Sequence, residues 1–157
     1  NAYAASSFYA IDRYASYKKD WGKFYNNGGV IVCDRYVTSN IVHQAMKIDG
    51  DKTEFINWLS DYEYVKLGLP KPDLVLFLDM PPKAASELMK NRANKITGEK
   101  EKDIHEKNEE YLINAYNNAV SVAENQGWHR IVCADSTSIR TIEDIHNEIV
   151  SIAGKIL

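Results

Sequence analysis

Asp34 and Arg35 stand side by side where the apolar run Val30-Ile31-Val32-Cys33 ends, and Tyr36, Thr38, Ser39, Asn40, His43 and Gln44 follow closely. A guanidinium held in one place suits a phosphate, which it can grip with two parallel N–H bonds. The neighbouring carboxylate could orient that arginine, hold a magnesium-bound water, or act on a hydroxyl. Ser39, Asn40, His43 and Gln44 have helical spacing, so they gather on one side of the segment that descends from the pair. For Asp-Arg alone, a strand ending in a surface salt bridge is the simpler reading. The polar group behind it tips the balance towards a ligand. A second pair lies upstream, where Tyr9 and Arg13 are four residues apart and project from one helix face on successive turns. An aromatic ring with a guanidinium one turn away can stack a flat base and donate to its edge. The same spacing also makes an ordinary surface cation–π pair.

These side chains need elements to hold them. The β-branched run 30–33 follows Asn26-Asn27-Gly28-Gly29 and reads as a buried strand of a parallel sheet. In open α/β sheets, ligands sit outside the carboxyl ends of such strands. Residues 1–25 read as a helix, with Ala4, Phe8, Ile11 and Ala15 at helical intervals and the Asn-Asn-Gly-Gly run ending it. After a turn at 48–53 comes a helix whose apolar face is Phe55, Ile56, Leu59, Tyr62 and Val65, with Gly68 at C′. The connector Leu69-Pro70-Lys71-Pro72-Asp73 suits neither a helix nor a central strand.

A second strand is expected over 74–78, ending at Asp79, and Pro81 and Pro82 open a helix running to about Arg92. Residues 93–103 are polar and charged and read as a loop. A long amphipathic helix over 104–126 turns Leu112, Ala115, Ala119 and Val122 inward, and Gly127 closes it. A third strand covers 130–133. Thr141 caps a final helix with Asp144 in the capping-box position, and Ile142, Ile145, Ile149 and Ile152 line its inner face. Three strands of parallel type separated by helices make an α/β layered fold, although three are few for such a sheet.

Composition narrows the function classes. With 157 residues and 45% hydrophobic content, one domain spanning 1–157 is expected. The formal charge of −3 argues against a nonspecific nucleic-acid surface, which needs a basic excess. No apolar run approaches a membrane span and no signal-peptide pattern opens the chain, so a cytoplasmic protein is expected. Cys33 and Cys133 each close an apolar run and read as small buried hydrophobes in a reducing compartment.

Taken together, Tyr9-Ala10-Ile11-Asp12-Arg13, Asp34-Arg35-Tyr36 with Ser39-Asn40, and Pro72-Asp73-Leu74-Val75-Leu76-Phe77-Leu78-Asp79 resemble the thymidylate kinases. These are P-loop enzymes that phosphorylate dTMP, and the resemblance covers essentially the whole chain. It implies transfer of the γ-phosphoryl of ATP to dTMP with Mg²⁺, in a three-layer α/β/α fold with a parallel sheet, and it implies a homodimer. By resemblance, Tyr9 falls where an aromatic residue, commonly Phe, stacks on thymine, and Arg13 where an arginine reaches a base oxygen. Arg35 takes a phosphate-binding role and Asp34 one near the acceptor or magnesium. Asn40 falls where family members contact the pyrimidine edge, and His43 where some bacterial members place a Tyr near the sugar. Ser39 and Gln44 complete the expected substrate-binding set. Segment 93–103 corresponds to the lid. It carries Lys95, Lys100 and Lys102 but no arginine. Arg92 at its base is one candidate for the donor phosphates, and where the lid lacks arginine the family pattern places that arginine in the P-loop instead.

The family begins with a strand and a glycine-rich loop whose amides and Lys hold those phosphates. No G-x-x-x-x-G-K-S/T occurs in these residues. Lys52-Thr53 is no substitute, because Met46 and Asp51 occupy the glycine positions. The expected fold therefore lacks its N-terminal strand–P-loop–helix unit, as the C-terminal three-quarters of a thymidylate kinase would, and the natural protein is expected to carry that unit. A deoxynucleoside kinase is the nearest other enzyme, but its corresponding strand ends in Glu-Arg-Ser. A non-catalytic nucleotide-binding module is the alternative outside enzymes.

Overall fold

A computed structural model describes residues 1–89, 109–135 and 138–156. The chain divides into two compact units, Asn1–Lys71 and Pro72–Leu157.

The regular elements of the first unit are all helices. Helix α1 (Ala2–Ser16) starts where the Asn1 side chain accepts the Ala4 N–H at 2.9 Å. It continues through a π turn (Tyr17–Trp21) into α2 (Gly22–Asn26), and Gly28 at φ +87° then stops the run. The π turn buries Tyr17 and brings its carbonyl against residue 22. A Cβ there would sit 2.5 Å from that oxygen, so glycine is required. Helix α3 (Val37–Ala45) packs against α1, whose facing residues Ala2, Ser6 and Ala10 are small enough to let the backbones approach. Helix α4 (Thr53–Ser60) packs on α3 and ends in a second π turn (Asp61–Lys66), closed by Gly68 at φ +65°. Ala10, Val37, Ile41, Ala45, Phe55, Leu59 and Leu69 form the apolar core.

Several expectations fail in this unit. Residues 30–33 form no strand, and Val32 is 93% exposed. A strand needs a partner for its N–H and C=O groups, and none of the described segments pairs with this one. Cys33 is accordingly exposed rather than buried. On α1 the series Ala4, Phe8, Ile11 and Ala15 faces outward, with Phe8 81% exposed, because the small residues take the inner face. Val65 is also exposed. The helix face that buries Phe55 and Leu59 leads next to Glu63, and the π turn carries Val65 away from it.

The second unit holds the sheet. Strands β1 (Leu76–Asp79) and β2 (His129–Val132) pair in parallel, Leu76 opposite His129 and Asp79 opposite Val132. The parallel α/β reading thus stands on two strands of the expected three, since the run 30–33 joins no ladder. Helix α5 (Pro82–Met89) has Pro82 at its first position, where the missing N–H costs nothing. Helix α6 (Glu109–Asn125) buries Ala115, Ala119, Val122 and Ala123, and with Ile131, Cys133 and Ala134 of the β2 strand and its exit these form the core. The Asp79 carboxylate is buried at the end of β1. It accepts from Tyr116 Oη at 2.8 Å and from Arg130 Nε at 2.7 Å.

Helix α7 (Ile142–Ala153) starts on the anticipated box, with the Asp144 N–H donating to Thr141 Oγ1 at 3.1 Å. Its covered stripe begins only at Ile145, because Ile142 on the first turn is exposed. No helix among the described residues is long and apolar enough to cross a membrane.

Candidate functional site

The acceptor-side residues singled out in the sequence all fall in the first unit, on α1, on α3 and on the segment entering α3. Two polar clusters share α3. In the first, Arg35 Nη1 lies 3.3 Å from Ser39 Oγ, to which it donates, and 3.4 Å from His43 Nε2. Arg35 has φ +67°, and among the described residues it is the one non-glycine in left-handed backbone. That conformation is costly for a residue with a Cβ and tends to persist where a side chain must be aimed. Asp34, beside it, is exposed.

The second cluster is buried. Glu63, in the π turn after α4, has no exposed surface. Its Oε2 accepts from Arg13 Nε at 2.7 Å, and its Oε1 accepts from Arg13 Nη2 at 3.3 Å and from Asn40 Nδ2 at 3.0 Å. Asn40 Nδ2 also donates to the Ser6 carbonyl at 3.2 Å. Arg13 lies over the Tyr36 ring, 5.5 Å from its centroid, and Tyr36 Oη donates to the Pro70 carbonyl at 3.0 Å. Burial and the neighbouring Tyr64 push the Tyr36 hydroxyl up, and Arg13 offsets this only partly.

Tyr9, one turn before Arg13, is 58% exposed, so its ring is open to a ligand. Gln44 stands apart from both clusters, buried, with its Oε1 accepting from Lys47 Nζ at 2.9 Å. Arg92 and the lid segment 93–103 lie outside the described residues.

Sequence reasoning missed Glu63. Its signal was present: Phe55, Leu59 and Glu63 are spaced by four, so a carboxylate takes the next buried place of an apolar stripe. A charge there demands a partner, and Arg13 supplies it.

Comparison with known proteins identifies the family. The family model described as thymidylate kinase matches residues 1–149. The chain belongs to the thymidylate kinase family. A probable thymidylate kinase of Pyrococcus horikoshii is 31% identical over 150 residues, which is 95% of this chain and 63% of that protein. A thymidylate kinase of Mycobacterium tuberculosis is 29% identical over 111 residues, 70% of this chain and 51% of the relative. One of Plasmodium falciparum is 35% identical over 126 residues, covering 80% and 50%. The chain thus spans between half and two thirds of the length of these thymidylate kinases. Membership implies a P-loop kinase fold, and the helix-rich chain with its small parallel sheet is consistent with it.

Among the described residues no group of three or more His, Cys, Asp or Glu side chains could cage a metal. Magnesium at phosphoryl-transfer sites needs no such cage, because one or two carboxylates with substrate phosphates and water suffice. Asp34, an exposed carboxylate next to the candidate phosphate-binding arginine, fits that donor set.

Proposed function

We propose that this chain supplies the acceptor side of a dTMP kinase, which transfers the γ-phosphoryl of ATP to dTMP to give dTDP. The observation that carries this reading is the pairing of the two clusters on α3. Ser39 and His43 contact Arg35, while Asn40, next in sequence to Ser39, joins Arg13 through Glu63. A nucleoside monophosphate needs such a pair, a phosphate grip at one end and a base reader at the other. Tyr9 stacks the thymine, Arg13 and Asn40 meet its edge, His43 and Ser39 lie towards the sugar and phosphate, and Arg35 holds the phosphate.

Phosphoryl transfer asks little covalent chemistry of a protein and much positioning. Arg35 fixes the acceptor phosphate in line and spreads its charge, and its strained backbone keeps the fork aimed before the substrate arrives. Asp34, next to Arg35 in sequence and exposed, is the carboxylate assigned to the acceptor side. Mg²⁺, held through Asp34 with the ATP phosphates, would supply charge neutralisation at the transferring group. Arg92 is proposed to serve the donor phosphates. The exposed stripe Ala4, Phe8, Ile11 and Ala15 on α1 supports a homodimer, since such a stripe is costly in water. The absence of a spanning helix among the described residues is consistent with a cytoplasmic place.

Arg35→Lys tests the reading, because it keeps the charge and loses the fork. Calorimetry on the full chain is expected to show dTMP binding weakened by about tenfold or more, with thymidine binding unchanged. Equal losses for thymidine and dTMP would make Arg35 structural and favour an acceptor without a phosphate.

A further inference from the structure

The Glu63 cluster contains an asymmetry that the overall assignment does not use. An asparagine amide can face either way, and its orientation ordinarily has to be inferred from what surrounds it. Here Asn40 is fixed chemically. One side of the amide meets two acceptors, the Ser6 carbonyl and the Glu63 carboxylate, so that side must be the NH₂ group. Both of its hydrogens are then committed, and the side chain is buried. Its Oδ1 has no hydrogen-bond partner among the described residues, which leaves a buried acceptor open. An acceptor left so costs free energy unless something donates to it.

Glu63 acts on Arg13 in the same way. It takes Nε and Nη2 and leaves Nη1 outside these bonds. A buried ion pair of this kind is weak evidence for stability, because desolvation offsets much of the attraction. Its effect on orientation is stronger. One carboxylate turns an amide so that it offers an acceptor and turns a guanidinium so that it offers a donor.

We propose that Glu63 is the positioning residue that sets pyrimidine choice, presenting Asn40 Oδ1 and Arg13 Nη1 as an acceptor–donor pair. Thymine matches that pair, with its N3–H donating and its O4 accepting. Cytosine mismatches it twice, since its N3 accepts and its exocyclic N4 donates. Uracil carries the same edge as thymine, so Glu63 separates oxo from amino pyrimidines and leaves the 5-methyl group to other contacts. This inference rests on the reading that the base docks against Arg13 and Asn40.

The test is Glu63→Gln in the full-length protein with its P-loop unit, with kcat/KM measured for dTMP and dCMP. A glutamine can donate to Asn40 and let its amide turn, and it no longer holds Arg13 by charge. The preference for dTMP over dCMP is expected to fall by about tenfold or more, mostly through KM for dTMP. A purely structural role would lower both values together and leave their ratio unchanged, and that result would overturn the proposal. Arg13→Ala and Asn40→Ala are measured alongside. If neither weakens dTMP, the docking premise itself fails and Glu63 loses its role with it. If both weaken dTMP while Glu63→Gln preserves the ratio, only the role of Glu63 is overturned.

Should Glu63→Gln lose its cooperative melt, the exchange variant Asn40→Asp with Glu63→Gln carries the test. It restores an amide–carboxylate pair in swapped order, and either oxygen of residue 40 offers an acceptor. It is expected to keep only the part of the thymine preference that an acceptor at residue 40 sets, because glutamine at position 63 no longer holds Arg13 by charge. A folded exchange variant that turns over dCMP as readily as dTMP would overturn the proposal.

Discussion

Residues 30–34 and 76–79 are nearly the same sentence in the sequence: an apolar, strand-forming run that ends in an aspartate. In the structure they part company. Leu76–Asp79 lies beside His129–Val132, its backbone is paired in a parallel ladder, and its aspartate is buried under Tyr116 and Arg130. Residues 30–33 are paired in no ladder among the described residues, Val32 is almost wholly exposed, and Asp34 is open to solvent. The difference is one of neighbours rather than composition, because β propensity describes how well a side chain fits a pleated, half-covered surface. One aspartate has become a structural clamp, whereas the other is left available to act on a ligand.

The contrast can be broken by mutation, most sharply in the cores. Ile131 in β2 is fully buried, so Ile131→Ala is expected to cost about 3 kcal/mol of unfolding free energy. Val32→Thr is expected to stay within about 0.5 kcal/mol. Urea titrations of the two variants check both, and a cost above about 1 kcal/mol for Val32→Thr would show that 30–33 has a covering neighbour after all.

The aspartates give the next largest separation. Asp79→Ala removes the acceptor of Tyr116 Oη and of its guanidinium partner, for an expected cost of about 2 kcal/mol. Asp34→Ala is expected to leave the thermal midpoint nearly unchanged while lowering kcat by about a hundredfold. A stability loss without an activity loss at Asp34 would reverse the roles assigned here.

A smaller effect concerns Tyr36, which follows the Asp-Arg pair. Its Oη bond to the Pro70 carbonyl makes Tyr36→Phe worth about 1 kcal/mol. The sign of its pH dependence follows from its raised hydroxyl. Above the usual tyrosine value of 10.0 the unfolded chain releases this proton and the folded chain keeps it, so stability falls as pH rises from there. Tyr64, raised mainly by burial, adds to the same loss. Tyr36→Phe should therefore be less sensitive to alkali than the parent, and melts between neutral pH and pH about 11 would show it.

A loss of similar size is expected at the α7 cap, where Thr141→Ala should cost about 1 kcal/mol in a urea titration.

Much of this was legible in the residues. The helices at 2–26 and 37–45, the parallel strands, the glycine stops and the Thr141 cap follow from periodicity and capping chemistry, which are local. The strand at 30–33 was misread because strand formation depends on a partner that the segment itself does not encode. On α1 the apolar series Ala4, Phe8, Ile11 and Ala15 drew attention, yet the buried face is the small-residue one, chosen by how closely α3 approaches. Tyr9, Arg13, Arg35, Ser39, Asn40 and His43 were named from motif and spacing. Glu63 was not, because its role depends on residues 23 and 50 positions away, which only the folded unit brings to it.

The left-handed backbone of Arg35 bears on how this position can change over generations. Glycine would adopt φ +67° without strain, and asparagine more readily than most residues. Neither could hold a phosphate as a guanidinium does. A library randomised at residue 35 and sorted for heat resistance should thus drift towards glycine, while one sorted for growth on its product should return arginine. Under the proposed phosphate role, backbone comfort and side-chain duty pull in opposite directions here, as expected where a fold gives up stability for activity.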